Sequence, residues 1–248
     1  REFASPISTL HVDVRDGAAL RDTLAQADLL GGVDAVVYAV SADERSDEAY
    51  HGAYVLGLDN VLASIAGVAR LIHVSSTGVY GQKDGEEVTE ASPVQPVHFS
   101  GRRLLEAEEL ARNAAQSSAI VRLGGIYGPG RTRLPDMVRA GRAFVRRDAA
   151  RFQNRIHRDD AAGFITHLLT MSEVPMPVYI GVDDEPADMR DVQAWFCDQW
   201  SINVGALQEP TGEARPAGKR CKNSLMKSSG YALRYPTYRE GYAELVRG

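Results

Sequence analysis

Short apolar runs alternate along this chain with longer segments whose apolar residues recur every three or four positions, a pattern that predicts parallel strands joined by helices. "STLHVDV" (8–14) reads as a strand and "GAALRDTLAQA" (17–27) as a helix. "DAVVYAV" (34–40) is almost wholly apolar, as expected of a strand covered on both faces. A long helix is predicted from about Ser46 to Ala66, followed by a strand at "RLIHVSS" (70–76). After a polar loop holding Pro93 and Pro96, a helix begins near Val97 and a strand follows at "SAIVRLG" (118–124). Four βα units in a row predict a doubly wound parallel sheet, with strands 8–14, 34–40, 70–76 and 118–124 adjacent and parallel.

From Gly125 the pattern loosens. "GIYGPGRTRLP" is a Gly/Pro loop, Asp159 or Asp160 is expected to cap the helix in "NRIHRDDAAGFITHLL", and "PVYIGV" (177–182) is a late strand. Residues 1–130 are read as the core and 131–248 as a smaller lobe interleaved with it. Ligands of open α/β sheets bind outside the carboxyl ends of the strands, so a cleft there is the expected site.

Composition narrows the partners. A formal net charge of -5, with no Lys/Arg-dense face, argues against nucleic acid, because neutralising phosphates takes clustered cations. The pairs Arg102-Arg103 and Arg146-Arg147 are too short to change that. Two cysteines, Cys197 and Cys221, offer no disulfide framework or CxxC metal site. No apolar run approaches the roughly 20 residues of a membrane span. A cytoplasmic protein without metal is expected.

"HVSSTGVYG" (73–81) and "RLGGIYGPG" (122–130) each end a strand with small or hydroxyl residues and a glycine turn, and "TEASPVQP" and "SGRRLLEAE" lie between them. These four ordered motifs, with the "YPTYREGY" tail, resemble the extended and atypical short-chain dehydrogenase/reductases, the NAD-dependent epimerase/dehydratase group. The resemblance implies a Rossmann-like nucleotide-binding core, NAD or NADP as cofactor, a sugar nucleotide or other small polar substrate, and a homodimer formed through the helices near 46–66 and 97–116. It places Ser76, four residues before Tyr80, on the reacting oxygen. Counting back from Glu106, it puts His98 where the family has its catalytic tyrosine and Arg102 where it has the lysine.

Both are departures, yet positions i and i+4 share a helix face. Arginine can donate to ribose hydroxyls, and histidine titrates near ~6.5, so it accepts a proton without an assisting cation. Ser76, His98 and Arg102 are the catalytic candidates, expected to converge; the competing reading has His98 merely flanking the helix. The resemblance further assigns Asp13, Val14, Ala39, Val40, Ser41, Arg102, Gly124, Gly125 and Ile126 to the cofactor. An aspartate at a strand end also forms turns, and small residues at a buried strand end also pack. Tyr80, Tyr127, Arg131 and His157 are the substrate-side candidates; the family's proline and asparagine near the last of these loops are Leu123 and Gly125 here.

The chain has no GxGxxG or GxxGxxG and begins near the family's third strand, so a fragment, or a missing first segment, is expected. The leading expectation is an oxidoreductase of epimerase/dehydratase type. The alternative is a catalytically degenerate NAD(P)-binding or sensor protein of the same fold.

Overall fold

The computed structural model describes residues 7–29, 33–115, 117–144, 149–209 and 216–247, so the Arg146-Arg147 pair lies outside the described residues. Its central sheet contains β1 (Ala35–Tyr38), β2 (Arg70–Ser76), β3 (Ser117–Leu123) and β4 (Val178–Gly181). They are bonded in that order, all parallel.

Three of the expected strands are therefore adjacent and parallel, and the fourth is the late "PVYIGV" run rather than 8–14. The 8–14 segment forms no ladder: Leu10 is 45% exposed, and the chain turns at Val14 and Arg15. Its alternation suits a strand, but a strand exists only through a neighbour's hydrogen bonds, and none of the described residues pairs with the outer edge of β1. β1 itself is half covered, with Tyr38 buried and Val37 40% exposed. Its apolar sequence alone implied cover on both faces.

The helices start where short polar side chains satisfy free backbone N–H groups. Asp16 caps α1 (Gly17–Gln26), accepting from the N–H groups of Ala18 and Ala19. Ser46 caps α2, which runs as α-helix over Asp47–Tyr50, as a π turn over His51–Leu56 and as α-helix again over Gly57–Ser64. α3 spans Phe99–Arg112 and α4 spans Arg133–Arg139. α5 (Arg158–Thr170) is capped by His157, not by Asp159 or Asp160. The imidazole Nδ1 accepts from the N–H of Asp159, which leaves both carboxylates in the first helical turn.

Asp160 is wholly buried there, and its carboxylate accepts from the N–H groups of Arg234 and Tyr235 and from the Tyr231 hydroxyl. It thus fastens the closing segment to the core. α6 (Met189–Gln199), α7 (Ser224–Ser228) and α8 (Tyr238–Arg247) complete the chain.

Helices cover both faces of the sheet. α2 and α3 bury Leu58, Ala107 and Ala111 against Tyr38, Leu71 and Ile120. α5 buries Phe164 and Leu168 against Ile72, Ala119 and Val121. Emptying a fully buried aromatic site such as Phe164 costs about 3–5 kcal/mol. Residues 158–170 and 178–181 therefore belong to the central layers, while Tyr127, Val138, Phe196, Tyr238 and Tyr242 form a separate core beyond them.

Candidate functional site

At the carboxyl end of β1 a cleft of about 920 Å³ opens between residues 12–15, residues 40–44 and the π turn of α2. It brings together four of the expected cofactor residues, Asp13, Val14, Val40 and Ser41. Ala39, Arg102, Gly124, Gly125 and Ile126 do not line it.

The cleft wall is built from local contacts. Asp13 takes a turn, its carbonyl accepting from the Asp16 N–H, while its carboxylate pairs with the Arg15 guanidinium at 2.6 Å. Hydrogen bonding to Arg15 pulls the Asp13 carboxyl down to about 2. Asn60 donates from Nδ2 to the carbonyls of Val14 (2.9 Å) and Arg15 (3.1 Å), pinning this turn to α2. A side chain at Gly57 would collide with the Tyr38 hydroxyl and with Val14, so only glycine lets α2 approach so closely. The Tyr38 hydroxyl donates to the Ala53 carbonyl within the π turn at 2.5 Å. Such turns recur at functional sites.

These residues suit the adenosine half of a dinucleotide: an ionised carboxylate to accept from an amino group, apolar Val12, Val14 and Val40, and small Ser41 and Ala42. They do not supply a phosphate cradle. Asp43, Glu44 and Glu48 add negative charge to the lining, and the start of α1 is already occupied by the Asp16 carboxylate.

The expected convergence of Ser76 with His98 and Arg102 is formed only in part. The Ser76 turn and the start of α3 do meet: a side chain at Gly101 would strike the Gly78 carbonyl. His98, however, is exposed at the N-cap of α3 and makes no side-chain capping bond, and Arg102 is exposed one turn on. Among the described residues no hydrogen bond joins His98 to Ser76.

The pleat gives the reason, since adjacent strand residues point to opposite faces. Ser75 faces α3 and donates to Glu108 at 2.7 Å, whereas Ser76 leaves from the other face and its Oγ accepts from the Gly78 N–H at 3.1 Å. The i,i+4 rule was applied correctly to the helix, but position 98 is its cap rather than its first turn.

Beneath this edge lies a buried polar network. Glu108 and Arg122 make a two-pronged ion pair at 2.6 and 2.9 Å, with Ser75 on the same carboxylate. Arg122 also donates to the Tyr80 hydroxyl at 2.7 Å. Tyr80, expected at the substrate, is therefore an interior residue whose phenol is already engaged. Tyr127 is likewise buried, its hydroxyl donating to the Thr237 carbonyl and its ring edge-on to His157. His157 is 2% exposed, lies tilted against the Tyr235 ring, and has its pKa lowered chiefly by desolvation. Arg131 stays exposed in the loop beside them.

Sequence reasoning missed Asn60 and two buried ionisable groups. Asp183 is 2% exposed, one carboxylate oxygen has no partner among the described residues, and burial pushes its carboxyl up to about 8. Lys219 donates to the Tyr80 carbonyl at 2.8 Å, and burial lowers its pKa. An asparagine inside a helix was a readable signal for Asn60; nothing local marks the other two.

A parallel sheet with helices on both faces and a cleft at its carboxyl edge is the architecture of a Rossmann-like α/β protein. More narrowly, the chain belongs to the NAD dependent epimerase/dehydratase family, whose model matches residues 2–173. It is similar to a solved NAD-dependent epimerase/dehydratase family protein from Methylobacillus flagellatus, at 33% identity and a TM-score of 0.81, covering 100% of this chain and 86% of that one. It shares its fold with the dTDP-glucose 4,6-dehydratase DesIV from Streptomyces venezuelae, solved with NAD and TYD bound. There the identity is 22% and the TM-score 0.75, with 96% of this chain and 78% of that one covered. A curated relative, the 2-alkyl-3-oxoalkanoate reductase of Stenotrophomonas maltophilia, is 27% identical over 195 residues, which are 70% of this chain and 58% of that protein. The chain thus spans less than two thirds of that relative's length.

Proposed function

We propose that this chain is the core of an NAD(P)-dependent oxidoreductase of the epimerase/dehydratase type, acting on a sugar nucleotide or another small polar substrate. The observation that carries the reading is the cleft at the carboxyl end of β1, where Asp13, Val14, Val40 and Ser41 meet. The adenosine half of the cofactor lies against them, with Asp13 accepting from the base. The bound nicotinamide supplies or takes up hydride. Ser76, at the end of β2, hydrogen-bonds the reacting oxygen, and the exposed Arg102 is free to draw an anionic substrate to the edge. His98 has no step, because it touches none of these groups.

The likeness to a 2-alkyl-3-oxoalkanoate reductase supports a second substrate class, a 3-oxo ester or acid, within the same reaction type. A degenerate binder of the same fold is less favoured, since family membership and the intact cleft wall both agree with use of the cofactor. Binding of NADH, followed by its fluorescence, tests the reading: Asp13→Ala is expected to weaken binding about tenfold, the effect of losing one charge-assisted hydrogen bond. Equal affinity in the variant, or no binding by the parent, refutes it.

A cytoplasmic homodimer pairing α2 and α3 accompanies the proposal. Tyr54, Leu62, Leu105 and Leu110 on these helices are only partly covered by the chain's own core, although Leu58 is wholly buried. Light scattering that finds a monomer at high micromolar concentration removes the dimer. Among the described residues no helix is long and apolar enough to cross a membrane.

A further inference from the structure

One wall of the cleft is made by His51, Gly52, Ala53 and Leu56, all within the π turn of α2. Turns of this kind are rare, and a carbonyl that one displaces from the helical ladder needs another donor where water is excluded. Whatever supplies that donor also holds the cleft wall.

The bonding around Gly57 identifies it. In an α-helix the Gly57 N–H would donate to the carbonyl four residues back, that of Ala53. Here it donates to the Gly52 carbonyl, five residues back, which leaves the Ala53 carbonyl out of this step of the ladder. The Tyr38 hydroxyl fills the gap, donating to that carbonyl at 2.5 Å from the last residue of β1. The phenol is fixed from its other sides. It is 3% exposed, and its ring lies nearly parallel to that of His73, with centroids 6.0 Å apart. The absent side chain of Gly57 leaves the space that the hydroxyl occupies. Burial raises the phenol's pKa, with Tyr54 adding to the shift, so the hydroxyl keeps the proton it donates. Tyr38 does not itself line the cleft, and a single hydrogen bond connects it to Ala53, which does.

We propose that Tyr38 is a positioning residue for the cofactor: its hydroxyl keeps the π turn from relaxing to α-helix, and the turn sets the shape of the wall that the nucleotide meets. The inference rests on the cofactor reading above. Without the hydroxyl, the Gly57 N–H returns to the Ala53 carbonyl, the turn tightens by one residue, and the backbone at Gly52 and Ala53 shifts at the cleft. The competing explanation is that Gly52 and Gly57 permit the turn by themselves and the hydroxyl merely settles beside it. Tyrosine to phenylalanine separates the two, because the ring and its packing on His73 are kept.

The test compares the full chain with Tyr38→Phe and, as control, with Tyr231→Phe, which loses a hydroxyl bond to Asp160 on the α5 face of the sheet. NADH affinity is read by fluorescence, and the backbone amide of Gly57 by nuclear magnetic resonance. Tyr38→Phe is expected to weaken NADH binding about tenfold, the effect of one buried hydrogen bond, and to move the Gly57 amide resonance. Tyr231→Phe is expected to lower the thermal midpoint while leaving NADH affinity within about twofold of the parent. Coupling between two equilibria is reciprocal, so NADH should slow hydrogen exchange at the Gly57 amide of the parent by about the same tenfold factor. That measurement needs no variant to fold. Tyr38→Phe binding within about twofold of the parent overturns the proposal, as does an unmoved Gly57 resonance in that variant. NADH that binds without slowing exchange at Gly57 overturns it too, and so does an equal loss of affinity in Tyr231→Phe, which would trace the effect to stability alone. If the parent binds no NADH, the cofactor reading fails and this inference falls with it, an outcome distinct from a parent and a Tyr38→Phe variant that bind equally.

Discussion

Two arginine–carboxylate pairs in this molecule share the same chemistry at the same distance, 2.6 Å, yet sit in opposite environments. Arg15 and Asp13, at the cleft, have side chains 52% and 49% exposed. Arg122 and Glu108, under the sheet edge, have 3% and 1%. Water screens the first pair, so it contributes little to stability and its carboxylate can be shared with a ligand. The second pair is buried, and each charge is tolerable because the other, with Ser75, Tyr80 and a longer contact from Arg112 to Glu108, satisfies it. The same ion pair is thus open to a ligand in one place and a structural fixture in the other. Sequence cannot distinguish them: "DVR" and "IVR" carry the same arginine.

Breaking the buried pair should have the largest effect. Glu108→Ala strands the Arg122 guanidinium in the core and is expected to cost about 3–5 kcal/mol, enough to lower the thermal midpoint by roughly 10 °C. Removing both charges with well-fitting apolar residues should recover much of that loss. A Glu108→Ala midpoint within 2 °C of the parent, on the order of one kcal/mol or less, would show that the pair is hydrated and that the contrast with the cleft is false.

Asp183 gives a pH-dependent effect. Its folded carboxyl titrates at about 8 against an ordinary 3.8, so between those values the folded state retains a proton that the unfolded state has released. Stability from this group is fully present below the ordinary value and is lost as pH rises toward about 8. Asp183→Asn keeps the acceptor for the Glu185 N–H and removes the titration. Chemical denaturation across this range should find the variant's stability flatter with pH, and the variant the more stable protein at the alkaline end. Parallel curves for the two proteins would place the Asp183 carboxylate in water.

Much of the architecture was legible because it follows from local patterns. Apolar runs at 34–40, 70–76 and 118–124 gave three adjacent strands. The 8–14 run was misread because a ladder is a property of two segments, of which sequence shows only one. Asp13, Val14, Val40 and Ser41 come together at one cleft because family motifs point to backbone positions, which the fold preserves. Side-chain direction was less legible. The reading of Ser76 with His98 depended on pleat parity and on which residue ends the helix, each of which a shift of one position reverses. Tyr80 and His157, expected on the substrate side, are buried against Arg122 and Tyr235, partners distant in sequence.

The smallest expected effect belongs to the exposed pair, and it sharpens the contrast from the other side. Arg15→Gln removes the cation that holds the Asp13 carboxyl near 2, so that carboxyl returns toward the ordinary 3.8. The parent's Asp13 stays ionised as the medium is acidified to about pH 4, whereas about half of the variant's is then protonated. If the ionised carboxylate receives the base of the nucleotide, NADH affinity should be nearly equal in the two proteins at neutral pH and about twofold weaker in the variant near pH 4. The thermal midpoint should not move at neutral pH, where both forms are ionised and the pair is open to solvent. A large loss of stability in Arg15→Gln would mean that this pair, like Glu108 and Arg122, holds the fold; identical acid profiles would mean that Asp13 does not meet the nucleotide.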